Sequence, residues 1–190
     1  MWFSEISPAG REFLWARGAD GAAKDYDMII DSSHQYYFRV FTDSDVQYNV
    51  YWQNTGFGYN TWYQVAATWD STGTFKLYHD GALVKSGSGN SYPSSFYSSL
   101  QAIGGNSSWD QVFGGSISNV QVYNLSLDNT SIKTLYLEGI GGAPVDIQHL
   151  VGWWPLNGNA NDYSGKNNQG TATNVAWNAN WQSGYTAPTT

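Results

Sequence analysis

The stretch from Thr61 to Val84 constrains the fold more than any other. Tyr63, Val65, Ala67 and Trp69 alternate with Gln64, Ala66 and Thr68. A period of two places successive side chains on opposite faces of a strand. Asp70-Ser71-Thr72-Gly73 then reads as a turn, after which Phe75 and Leu77 alternate with Lys76 and Tyr78. Asp80-Gly81 is a hairpin turn, because glycine accepts positive φ without steric cost. Ala82-Leu83-Val84 returns.

The same rhythm runs through the chain. Glycine is abundant at 21 residues, and turn signals recur roughly every 8–12 residues, as in all-β sandwiches and barrels. Further strand candidates are Trp2–Ile6, Phe13–Arg17, Asp27–Asp31, Tyr36–Phe41, Val46–Trp52, Leu100–Ile103 and Gly115–Tyr123. One short helix is predicted. Asp128 is its N-cap, Ile132, Leu135 and Tyr136 form its apolar stripe, and Gly139 ends it. Gly139 to Pro144 reads as a linker. Beyond it come strand candidates at Leu150–Leu156 and Gly170–Trp177, separated by a polar, turn-rich stretch from Asn157 to Gln169.

With 190 residues the chain suits one large domain or two small ones. An apolar share of 41%, with 17% aromatic residues, excludes a disordered chain. Eight Lys and Arg residues under a net charge of -7 exclude a nucleic-acid binder that neutralises phosphate. The absence of cysteine excludes a disulfide framework, a thiolate zinc site and a cysteine nucleophile. No apolar run is long enough to span a bilayer, so no membrane insertion is expected. The start, Met1-Trp2-Phe3-Ser4-Glu5, has neither the basic region nor the apolar region of a signal peptide. Low charge with much Ser, Asn, Gly, Thr and Tyr points to an extracellular or cell-surface protein.

The run from Trp62 to Asp70, followed by Phe75-Lys76-Leu77-Tyr78-His79-Asp80-Gly81, resembles the central hairpin of laminin-G-like domains of the concanavalin A-like lectin/glucanase superfamily. Ile103-Gly104-Gly105, the run from Phe113 to Asn124 and the helix from Leu127 to Tyr136 continue the resemblance in the same order. It covers most of residues 1–138 and implies an all-β, jelly-roll sandwich of two antiparallel sheets with one short helix. The segment from Leu150 to Gly165 looks like the opening strand of such a domain, yet here it comes last. That order suits a circular permutation, since the first and last strands of a jelly roll are neighbours. Residues 145–181 then supply the opening strands of a single domain spanning 1–190. The other two readings are a following repeat and a strand donated to another molecule's sheet.

Glycoside hydrolysis needs two converging carboxylates, which glucanases of this superfamily carry as Glu-x-Asp-x-x-Glu. The three glutamates, Glu5, Glu12 and Glu138, form no such pattern, so no catalytic residue is expected. The pairs Asp25 with Asp27 and Asp43 with Asp45 have same-face spacing, the second in a turn. His34, His79 and His149 are scattered without metal-ligand spacing. Many relatives hold calcium at a sandwich rim through Asp and Asn oxygens, which suit a hard cation. The matching stretch is Asn157 to Asp162, with Asn157, Asn159 and Asp162 as expected ligands; Gly18-Ala19-Asp20-Gly21 is a second, weaker loop. Asx and Gly there equally build turns without metal.

Sugar rings present apolar C–H faces to aromatic rings, while Asn and Asp bond their hydroxyls. Trp52, Tyr59 and Trp109 lie in or beside Gly-, Asn- and Ser-rich segments and are the expected ligand-binding aromatics. Trp62, Trp69, Trp153 and Trp154 lie in patterned strands and are expected to pack inside. Asn106, Asn124 and Asn129 each open a glycosylation sequon. The chain therefore reads as a noncatalytic recognition or adhesion module for a glycan or a surface protein. The competing readings are a subunit of a surface filament or layer, joined to other copies of itself by strand exchange, and a glycoside hydrolase.

Overall fold

The computed structural model describes residues 1–7, 10–17, 26–41, 47–89, 101–106, 111–178, 182 and 185–188. Two five-stranded antiparallel sheets pack face to face. The first has the order β10-β1-β6-β7-β8, with β1 (Trp2–Glu5), β6 (Tyr63–Trp69), β7 (Thr74–His79), β8 (Ala82–Ser88) and β10 (Gly115–Ser118). The second has the order β5-β4-β3-β2-β9, with β2 (Glu12–Arg17), β3 (Tyr26–Ile30), β4 (Gln35–Phe41), β5 (Gln47–Gln53) and β9 (Gln101–Ile103). A two-stranded ladder joins β11 (Val120–Tyr123) to β12 (Leu150–Trp154).

The alternation seen in sequence becomes the core. Val65, Ala67 and Trp69 of β6 and Phe75 and Leu77 of β7 meet Tyr26, Met28, Phe38 and Val40 of the opposite sheet. Between Phe13 and Trp15 the register with β3 shifts, so Leu14 and Trp15 both face the interior. That is what an extra bulge residue does to a strand. The helix α1 (Asn129–Leu137) covers the outer face of the first sheet, where Ile132 packs with Tyr78 and Leu127. Its cap is as expected: the Asp128 carboxylate accepts from Ser131 N at 2.7 Å, and Gly139 follows at φ +82. Asp128→Ala should lower stability by about 1 kcal/mol, read as a shift in urea midpoint at unchanged slope. The Asp80-Gly81 turn sits beneath this helix, both residues at positive φ, and a Cβ on Gly81 would lie 2.7 Å from that of Tyr136.

Three expectations need correction. The Gly115–Tyr123 candidate is two strands, because Asn119 takes φ +48 and breaks the ladder between β10 and β11. Gly170–Trp177 is not a strand; its residues are exposed and unpaired in any sheet. The Gly139 to Pro144 linker is anchored: Ile140 is buried beside Trp2 and Trp62, and Asn119 Nδ2 donates to the Gly142 carbonyl at 2.9 Å. The other tail strand, β12, runs antiparallel to β11 and brings Trp154 to 6.1 Å from Trp15. Nothing in this arrangement requires a permuted ancestry.

Candidate functional site

The outer face of the second sheet carries a row of exposed amides and an aromatic ring. Along β5 the side chains alternate, so Gln47, Asn49, Tyr51 and Gln53 all point outward and are exposed. On the neighbouring strand Tyr37 pairs with Tyr51, and Gln35 with Gln53. The two tyrosine rings lie 5.8 Å apart at 31°, and Tyr51 is 51% exposed. The Tyr37 hydroxyl donates to Asp31 at 3.0 Å and its partly buried ring is thereby fixed. Burial and the Asp31 carboxylate raise that hydroxyl's pKa, so it stays protonated.

Asp31 also organises the turn that carries this face to the end of the sandwich. Its Oδ1 accepts from Ser33 N at 2.8 Å and Gln35 N at 3.1 Å. His34, at φ +57, then stacks on Phe57 at 4.1 Å and 9°. Its Nε2 lies 3.1 Å from the Tyr59 hydroxyl. Tyr59 is 44% exposed. A strip of aromatic rings and amides thus runs from Tyr51 to Tyr59.

The expected aromatics separate. Tyr59 is exposed as anticipated. Trp52 points inward, stacked on Tyr36 at 5.8 Å and 4.9 Å from His79. Residues 51 and 52 are adjacent on a strand, so only one of them can face out, and it is Tyr51. Trp109 lies outside the described residues, as do Asp25, Asp43, Asp45 and the Gly18–Gly21 loop. Trp62 is buried, while Trp69, Trp153 and Trp154 are half-buried. Of the sequon asparagines, Asn106 is buried, and Asn124 and Asn129 are exposed.

Beneath Trp52, His79 is held by Asn54, whose Nδ2 lies 3.3 Å from Nε2, and by Asp80 at 3.6 Å from Nδ1. Burial lowers the His79 pKa despite Asp80, and burial raises that of Asp80 despite His79. His79 thus packs in the interior, against Tyr36, Trp52 and Tyr63. Asp27, on the same outer face, is buried and bonded to Arg39 at 2.8 and 2.6 Å.

The loop expected to hold calcium is built differently. The Asp162 carboxylate is buried and accepts from the backbone N–H groups of Trp153, Ser164 and Asn168 and from the Ser164 hydroxyl, at 2.8–3.0 Å. Asn159 Oδ1 accepts from Asn161 N at 2.9 Å, and Asn157 is exposed. Calcium needs several free oxygens pointing at one centre. As arranged, these residues do not fit the ion; Asp162 instead ties its loop to β12. Among the described residues no group of three or more metal-ligating side chains converges.

Glu5 and Glu12, distant in pattern, are brought close enough for their charges to interact. Each is only 1% exposed.

A family model for the concanavalin A-like lectin/glucanases superfamily matches residues 1–133. The chain belongs to this superfamily. As a concanavalin A-like domain it has many solved structural neighbours. The CBM40 module of the Ruminococcus gnavus IT-sialidase, bound to α2,3-sialyllactose, aligns at TM-score 0.61 and 18% identity, over 71% of this chain and 79% of that one. A leech intramolecular trans-sialidase aligns at 0.57 and 16%, over 70% and 22%. A botulinum neurotoxin type C structure, described with two ganglioside molecules in cell entry, aligns at 0.52 and 14%, over 71% and 34%. At these identities the likeness is one of fold. No curated protein matches the chain in sequence.

Proposed function

We propose that this concanavalin A-like domain is a noncatalytic glycan-binding module of an extracellular or cell-surface protein. Its binding face is the strip from Tyr51 and Tyr37 to Tyr59. The observation that carries the reading is the exposed Tyr51 ring, backed by Tyr37 in a row of outward amides. A sugar's C–H face stacks on the ring, and Gln47, Asn49 and Gln53 bond its hydroxyls. The strands hold these groups rigidly, so little is lost to ordering on binding. Neighbours that bind sialyllactose and gangliosides support a saccharide as the ligand class. The sugar preferred here is uncharged: the buried Arg39 under this face is neutralised by Asp27, and the chain carries a net charge of -7.

A glycan array should show binding to neutral oligosaccharides above their sialylated counterparts. By calorimetry on the best hit, Tyr51→Ala should weaken binding at least about tenfold, or 1.4 kcal/mol. Tyr163→Ala removes an equally exposed tyrosine from the distant Asp162 loop and should change nothing. An array without hits refutes the reading; unchanged affinity in Tyr51→Ala refutes the face.

A further inference from the structure

Among the described residues the first sheet has a gap one strand wide. β1 pairs with β6 only through Trp2↔Gln64 and Phe3↔Tyr63, extended by the two bonds between Met1 and Val65. Beyond Met1 the edge of β6 from Ala66 to Trp69 meets no partner strand among the described residues. The far wall is β11. It follows β10 after the single residue Asn119, and only its β12 side is paired. Between the two edges lies a cavity of about 260 Å³.

Its lining shows what shape belongs there. On one side stand Trp15, Met28 and Trp69 of the inter-sheet core; on the other, Ala66, Leu127 and Leu135 under the helix. A cavity open to both layers of a sandwich has the section of a missing strand, whose side chains alternate between the layers. The indole Nε1–H of Trp15, on the core wall, is buried without an acceptor. Unpaired strand edges are templates for strand addition.

The chain also carries a strand-patterned segment in no sheet. Residues 171, 173, 175 and 177 are Thr, Thr, Val and Trp; residues 172, 174 and 176 are Ala, Asn and Ala. Val175 is 54% exposed and Trp177 41%. The chain is held on its own body at the start of the segment and again beyond it, at Tyr185. Gly170 N donates to the Ala160 carbonyl at 2.9 Å, and Tyr185 packs edge-on against Trp2 at 5.4 Å. The segment is thereby displayed outside its own slot.

We propose that the slot between β6 and β11 accepts residues 171–177 of a second copy of this chain. The donated strand runs in line with β1 and antiparallel to both walls. Val175 and Trp177 enter the aromatic core, a Thr173 hydroxyl oxygen reaches the Trp15 N–H, and the alanines face the helix. Each chain has one donor and one acceptor, so two chains exchanging reciprocally close a symmetric dimer. The proposal does not rest on glycan binding, since the strip around Tyr51 lies on the other sheet.

Light scattering of the full chain across a concentration series should show the mass rising from 21.0 kDa towards twice that value. The double variant Val175→Asp/Trp177→Asp, altered only at exposed positions, should stay monomeric. Ala67→Arg, which fills the slot, should also stay monomeric, and mixing the two variants should restore the dimer, because one keeps the slot and the other the strand. A full chain that remains monomeric, or a donor variant that still dimerises, overturns the proposal. Should Ala67→Arg fail to fold, a cysteine pair decides, in a chain that has no cysteine of its own. Ala67→Cys with Val175→Cys should give a covalent dimer on a non-reducing gel; a cross-link confined within one chain overturns the second-copy assignment.

Discussion

Asp27→Ala should destabilise the protein by about 3–5 kcal/mol. The carboxylate accepts from Arg39 Nε at 2.8 Å and from Nη2 at 2.6 Å, and both side chains are buried. The guanidinium also lies 5.3 Å from the Phe41 ring and 5.9 Å from that of Phe13. Removing the carboxylate takes a buried counter-charge away from the guanidinium, and that lost compensation dominates the effect. The pair itself need not stabilise the fold. Replacing both partners at once, as Asp27→Leu with Arg39→Met, should therefore cost far less than Asp27→Ala alone. Urea unfolding of the three variants at pH 7 gives the comparison. A loss below about 1 kcal/mol for Asp27→Ala would mean that water reaches the guanidinium, and the preference for uncharged sugars would lose its basis.

Period-two alternation made most of the sandwich legible. It works where one face of a strand is buried and the other is not, as in β6, and glycine marks the turns. It failed at Gly170–Trp177, where alternation is present but no partner strand is found among the described residues. A strand is a pairing and not a local state, so pattern alone cannot make one. Asn119 was missed because a single left-handed residue leaves no periodic trace. The binding face was half legible. Composition singled out aromatic residues near polar loops and so chose Trp52, yet β5 turns that ring inward and presents Tyr51. The phase of the strand held the answer: Val50 is apolar and faces the core, so 52 must share its side and 51 must not. The Asp162 loop shows the reverse limit. Asn, Gly and Asp at turn spacing serve a metal or the backbone equally well, and only the donors around the carboxylate distinguish them.

Glu5→Gln should make the protein more stable than wild type at pH 8 by about 3 kcal/mol, and no more stable at pH 4. Burial raises the Glu5 pKa from 4.5 to about 7, with the charge of Glu12 adding to the rise. Neither Glu5 oxygen has a hydrogen-bond donor, and His34 Nε2 stands 3.8 Å away. Below pH 4.5 the group is protonated in both folded and unfolded chains and makes no difference. From pH 4.5 to 7 the unfolded chain releases the proton while the folded chain keeps it. Stability attributable to Glu5 therefore falls as pH rises, by about 1.36 kcal/mol per unit of pKa difference. A glutamine carries no such charge. The Met1 amine acts in the opposite sense. Its folded pKa is lowered from 8.0 to about 5, so the unfolded chain holds the extra proton and stability rises with pH over that window. Over pH 5–7 the two slopes oppose one another, so the contributions of Met1 and Glu5 largely offset in the wild type. The variant keeps the amine and loses the opposing carboxylate, so its stability should climb steeply across the same range. Urea midpoints at pH 4, 6 and 8 measure both curves, and parallel curves would show that Glu5 ionises freely in the folded chain.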